Sequence, residues 1–202
     1  MKRPILRTSS SSLRFSDDPG SVVDFTNRPE ELENALLTLR AEGRTSLLDA
    51  IYMGIRRMKS ARYPRRALLI LSDGGDNHSR YSDREVKRAV REGDVLVYSV
   101  GTFDRYISTQ EERLGPELLK SVSQVTGGES FILTNVAEIP EVTRSIDTRL
   151  RYQYVLTYRP QEAMRDGMWH KISVKLRLPQ KWSLLRINAR TGYYAELTES
   201  LA

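Results

Sequence analysis

Ala67-Leu68-Leu69-Ile70-Leu71-Ser72-Asp73-Gly74-Gly75-Asp76 decides the reading of this chain. An unbroken apolar run ends in a carboxylate, two glycines and a second carboxylate. A run without polar alternation predicts a strand buried on both faces, as in a parallel sheet sandwiched by helices. Open sheets of that kind gather ligands beyond the carboxyl ends of their strands, so Asp73 is aimed where chemistry or metal binding would occur.

The flanking sequence supports such a sheet. Upstream, residues 13–15 and 22–25 are short apolar pieces on either side of Asp17-Asp18-Pro19-Gly20, which predicts two small antiparallel strands around a turn. Asn27 reads as the cap of a helix with Pro29 in its first turn, and Leu32, Ala35, Leu36 and Leu39 make one stripe expected to be buried. A second helix opens at about Ser46 and turns Leu48, Ile51, Ile55 and Met58 inward. Downstream, Ser82 and Glu85 form a capping-box pattern ahead of Val86, Ala89 and Val90, with Gly93 as the stop. Residues 95–101 read as a strand, Pro116 as the start of a helix closed by Gly127-Gly128, and residues 131–133 as a further strand. Asn135 caps a last helix carrying Ile139, Val142, Ile146 and Leu150.

This alternation predicts an α/β fold: a doubly wound, mostly parallel sheet with helices on both faces. The pattern then changes. Residues 152–158, 171–178 and 184–189 alternate polar and apolar side chains, which predicts a small antiparallel extension. The expected organisation is an irregular segment over 1–12, the α/β domain over 13–150 and the extension over 151–202.

Composition narrows the function classes. The 202 residues are 39% hydrophobic and 29% charged, enough for a packed core and without a run long enough to span a membrane. After Met1-Lys2-Arg3 come Pro4 and a serine-rich stretch, which does not read as a secretory signal. The absence of cysteine excludes disulfides and thiolate metal sites, leaving oxygen and imidazole donors. The net charge is +6, and the densest basic segment, with Arg56, Arg57, Lys59, Arg62, Arg65 and Arg66, reads as a helix end and loop without an aromatic stacking pattern or nucleic-acid motif, so no nucleic-acid partner is expected. The two histidines, His78 and His170, lie far apart, and there is no nucleophile elbow. The expectation is a non-enzymatic protein, with a hydrolase pairing Asp73 and His78 as the competing chemistry. The late aromatics, among them Tyr152, Tyr154, Trp169 and Tyr193, suit cross-strand packing or an interaction surface.

Three motifs in order carry a family resemblance: Gly43-Arg44-Thr45-Ser46-Leu47-Leu48-Asp49-Ala50-Ile51, then Leu71-Ser72-Asp73-Gly74-Gly75-Asp76-Asn77, then Val97-Tyr98-Ser99-Val100-Gly101. Together they are similar to the von Willebrand factor type A domain. Gly192-Tyr193-Tyr194-Ala195 resembles the end of a strand extension found in one bacterial subgroup of that family. The resemblance implies protein binding at a metal-ion-dependent adhesion site holding Mg²⁺, or Mn²⁺ or Ca²⁺. In it Thr45 and Asp73 would be ligands, Ser72, Gly74 and Gly75 the supporting turn, and an acidic side chain of a partner protein would complete the coordination. Asp49, on a helix, and Asp76, beyond the turn, read as surface carboxylates near that edge, with a contribution to the ion site as the alternative.

The sequence departs from the family at one place. The Asp-x-Ser-x-Ser motif that ends the family's first strand does not occur, and residues 13–17 resemble its second strand. The resemblance therefore implies a domain without its first strand and helix, with cation binding weak or lost and a lowered stability. A gene fragment, or a half completed in trans by another chain, is the alternative reading. Relatives of the subgroup commonly look exported.

Overall fold

The computed structural model describes residues 8–40, 42–73, 75–102, 109–160, 166–177 and 187–195. Its first elements are an antiparallel hairpin, β1 (Ser10–Arg14) and β2 (Gly20–Thr26), turned by the predicted Asp-Asp-Pro-Gly segment. β1 starts inside the segment expected to be irregular, because Ser10 and Ser12 find partners in Thr26 and Val23 that the serine-rich sequence does not advertise. Helix α1 (Pro29–Leu37) follows, with Arg28 in the cap position expected for Asn27. Its stripe is not buried: Leu36 is 53% exposed, and Leu39 lies beyond the helix end. Among the described residues the helix packs mainly on the hairpin.

The body of the fold is a three-stranded parallel sheet in the order β3 (Ala67–Ser72), β4 (Leu96–Thr102), β5 (Ser130–Leu133). Helices α2 (Leu47–Arg57), α3 (Asp83–Glu92), α4 (Gln110–Thr126) and α5 (Ile139–Arg151) connect and flank it. One core joins Leu47, Ile51 and Ile55 of α2 to Ile70, Val86, Val90, Val97, Leu119 and Val122. Burying each such side chain stabilises by roughly 1.5–3 kcal/mol. The core lies on the face of the sheet that carries Ile70 and Ser99, where Ser99 Oγ is 2.9 Å from Ser123 Oγ of α4. On the opposite face the Arg149 guanidinium of α5 covers the Phe131 ring. The α/β architecture with helices on both faces is thus present.

Three expectations need correction. β3 is not buried on both faces: Leu69 is 50% and Leu71 60% exposed, on the face where Arg149 of α5 sits over Phe131 of β5. α4 begins at Gln110 and runs through Pro116 instead of starting there; proline's φ is helical, and its costs are the lost N–H bond and the crowding of its ring against the carbonyl one turn earlier. In the C-terminal extension the antiparallel pair is β6 (Trp169–Lys171) with β7 (Gly192–Tyr194). Residues 152–158 form no strand, and Tyr154 stands 94% exposed: alternation marks a sided segment but supplies no partner strand. Of the third expected strand, residues 184–186 lie outside the described residues, as does Leu178 of the second.

The capping box expected at α3 is present. Glu85 Oε2 accepts the Ser82 N–H at 2.8 Å and the Ser82 hydroxyl at 2.7 Å, while Ser82 Oγ accepts the Glu85 N–H. The Ser82 hydroxyl, then its N–H, hold the Glu85 carboxyl below its ordinary 4.5. A carboxyl depressed by folding contributes stability above its unfolded pKa and loses it as pH falls through the folded value. The first turn of α3 is therefore expected to fray as pH drops below 4.5, read as falling protection factors of the Glu85 and Val86 amides, with Ser82→Ala reducing the pH dependence to what the remaining main-chain N–H supports.

Candidate functional site

The loop that follows β3 folds back over the N-terminus of α2. A helix leaves its first N–H groups without intrahelical acceptors. Ser46, the cap residue, does not satisfy them, because its hydroxyl donates to the Ser16 carbonyl at 2.7 Å. The loop does so. Leu48 N–H donates to Asp76 Oδ1 at 3.0 Å, and Asp49 N–H donates to Ser79 Oγ at 3.0 Å. Ser79 in turn hydrogen-bonds to Asp76. Asn77 is the second clamp: its Oδ1 accepts the Thr45 N–H at 2.8 Å, and the Asn77 and His78 N–H groups both donate to the Thr45 carbonyl.

These bonds bring Thr45 against the loop that leaves the carboxyl end of β3, the edge expected from the sequence. Thr45 is half-buried and Asp73 is exposed. Among the described residues the Asp73 carboxylate has no hydrogen-bond or ion-pair partner. Ser72 ends β3 opposite Gly101, Gly75 is buried at the turn, and Gly74 lies outside the described residues.

Asp49 and Asp76 are not the surface carboxylates expected. Asp49 is only 7% exposed, and its Oδ1 accepts the N–H groups of Arg80 and Tyr81, both at 2.9 Å. Both carboxylates are committed to main-chain donors 28 or more residues away in sequence. Asn77 closes the second motif but was given no role, and Ser79 was missed; the Asp76-Asn77-x-Ser79 spacing, polar groups clustered directly after a buried strand, was the available signal. His78 turns its Nδ1 to Arg44 Nη1 at 3.2 Å and not to Asp73, so the pair invoked for a hydrolase is not formed among the described contacts.

Among the described residues the edge offers a cation two groups. Thr45 and Asp73 offer one hydroxyl and one carboxylate, hard oxygens of the type Mg²⁺ takes. The neighbouring carboxylates are already hydrogen-bonded, and among the described residues no three acidic or imidazole groups converge as a metal cluster. Nor is any helix there long and apolar enough to cross a membrane.

No sequence-family model matches the chain, and no curated protein matches it. Solved structures do. A von Willebrand factor type A protein from Catenulispora acidiphila superposes with a TM-score of 0.58 at 16% identity, over 93% of this chain and 46% of that one. The chain thus spans about half the length of that protein. The conserved hypothetical protein BatB from Bacteroides thetaiotaomicron gives 0.55 at 14% identity, covering 72% of this chain and 80% of its own. An aerotolerance-related membrane protein from Bacteroides fragilis gives 0.55 at 12% identity, with 73% and 81% covered. At such identities the likeness speaks for architecture alone. With its parallel sheet flanked by helices and a small antiparallel sheet beside it, the chain has a partial von Willebrand factor type A fold.

Proposed function

We propose that this chain is a non-catalytic protein-interaction module whose binding edge is the loop cluster around Thr45 and Asp73. The observation that supports the reading is the exposed Asp73 carboxylate, unpartnered among the described residues, at the carboxyl end of a parallel sheet whose neighbouring loops are otherwise locked by hydrogen bonds. An exposed acid at such an edge meets a partner either through a shared divalent cation or through the partner's own donors. In the first mode the partner brings an acidic side chain, and Thr45 and Asp73 supply the chain's share of the ligands. Because that share is two groups, a bound Mg²⁺ or Mn²⁺ would keep most of its waters and be held weakly.

Titration with Mn²⁺, followed by loss of the free-ion paramagnetic signal, tests the reading. The chain is expected to bind with a Kd of about 1 mM or weaker, and Asp73→Ala is expected to abolish that binding while the thermal unfolding curve stays in place. A micromolar site indifferent to Asp73→Ala would remove Asp73 from the binding edge.

A further inference from the structure

The basic stretch from Arg56 to Arg66 plays no part at the edge around Thr45 and Asp73. Among the described residues it makes one ion pair, Arg57 with Asp24. Its first residue, Arg56, is exposed on the last turn of α2, and among those residues its guanidinium has neither a hydrogen bond nor an ion pair. Arg56 also borders an open groove of about 710 Å³, on the flank of α2 that carries Tyr52 and Met53. The turn of the β1–β2 hairpin and residues 80–81 close its other sides. That volume lies within the range of about 300–1,000 Å³ in which small binding sites fall.

The wall of the groove is fixed. Tyr52 stacks on Tyr81, with ring centroids 3.9 Å apart and planes inclined by 21°, and both rings pack against the core. Asp49 Oδ1 holds the main chain on that side, because it accepts the N–H groups of Arg80 and Tyr81. Met53 and Pro19 add apolar surface. Burial, then Tyr52, hold the Tyr81 hydroxyl above its ordinary 10.0, and the Arg56 charge opposes them, so that charge is felt at the ring pair. At the rim Arg80 Nη2 lies 2.8 Å from Asp18 Oδ1, with both side chains exposed. An incoming acid displaces an exposed pair of this kind at little cost.

We propose that this groove holds an acidic, aromatic segment of a partner protein. An aromatic side chain lies against the Tyr52–Tyr81 pair, Met53 and Pro19, and a neighbouring carboxylate meets Arg56. A second acid takes Arg80 from Asp18. Arginine–carboxylate hydrogen bonds are charge-assisted, and a wall already fixed by Asp49 spares part of the ordering cost of binding. A nucleic-acid strand fits less well, because its continuous phosphates would run past the carboxylates of Asp18 and Asp24 at the hairpin. The groove needs no cation, so it is tested separately from the Thr45–Asp73 edge.

Fluorescence anisotropy on the intact chain, in chelator, tests the proposal with a labelled seven-residue peptide that holds one phenylalanine among glutamates. Saturable binding is expected, with a Kd below about 1 mM. Alanine for the phenylalanine, or Arg56→Ala in the chain, is expected to weaken it about tenfold. Arg65→Ala, which removes an exposed arginine outside the groove, is expected to weaken it less than about twofold. Absence of saturation, equal losses for Arg56→Ala and Arg65→Ala, or equal binding of the alanine peptide would each overturn the proposal. So would tighter binding of an oligothymidylate of equal charge, or peptide release as the concentration of the chain alone is raised.

Discussion

Gly128→Ala is expected to cost the chain a large part of its stability. The segment that leaves α4 passes directly over β4. A Cβ on Gly128 would sit 1.9 Å from the Val97 carbonyl oxygen and 2.7 Å from its carbon, both main-chain atoms of a central strand. No rotamer change relieves such an overlap. The strand or the turn must move, and both are fixed: Gly128 N–H donates to the Ser123 carbonyl at 3.1 Å, and Val97 N–H donates to Thr126 Oγ1 at 2.9 Å. Gly127 beside it has a φ of +86°, which favours glycine, so the turn has no slack on that side. Overpacking costs about 1–3 kcal/mol and occasionally more, and an overlap with main-chain atoms belongs at the top of that range, against a total of only about 5–15 kcal/mol for a domain. Urea unfolding followed by near-UV dichroism measures the loss. Gly20→Ala is the matched control, since a Cβ there meets nothing within 4 Å. If Gly128→Ala unfolds at the same urea concentration as Gly20→Ala, the close approach of α4's exit to β4 is not present in solution.

The same contact shows where the sequence was readable. Gly127-Gly128 announced the end of a helix because glycine is the usual stop, and the Ser82–Glu85 box announced the start of one; both are local patterns, complete within a few residues. The parallel sheet was legible from the unpolarised run at 67–72 and the strand–helix alternation around it. What that run could not reveal is that one of its faces is open. Apolarity at Leu69 and Leu71 states that a cover suits them, not that an element arrives to provide it. Residues 152–158 repeat the lesson, sided like a strand and unpaired as a segment. At the site, Asp73 and Thr45 were found because a strand end and a loop motif mark them. Asp49 and Asp76 were misplaced because their partners are contributed from 28 to 32 residues away. A carboxylate's spacing on a helix records which side it leaves, and only the tertiary fold decides what is there to meet it.

Asp49→Ala is therefore expected to cost far more stability than Asp73→Ala, although both remove an aspartate from the same edge. Asp49 Oδ1 is the acceptor for two main-chain donors, the N–H groups of Arg80 and Tyr81, in a residue that is 7% exposed. Truncation leaves those donors without a protein partner, and each unsatisfied buried donor costs about 1–3 kcal/mol. Tyr81 is half-buried and Arg80 exposed, so water relieves part of the loss, and about 2–3 kcal/mol in total is expected. Asp73 is exposed and unpartnered among the described residues, and surface substitutions of that kind stay within about 0.5 kcal/mol. Urea midpoints of the two variants at unchanged slope separate the roles. A loss under about 0.5 kcal/mol for Asp49→Ala would mean that the loop over α2 holds without it. The order also governs how binding data on this edge are to be read. Releasing residues 79–81 from α2 loosens the loop that clamps Thr45 through Asn77, so Asp49→Ala is expected to weaken Mn²⁺ binding as well, by misplacing a ligand. Only a variant that binds less at unchanged stability, as Asp73→Ala is expected to do, identifies a group that touches the ion.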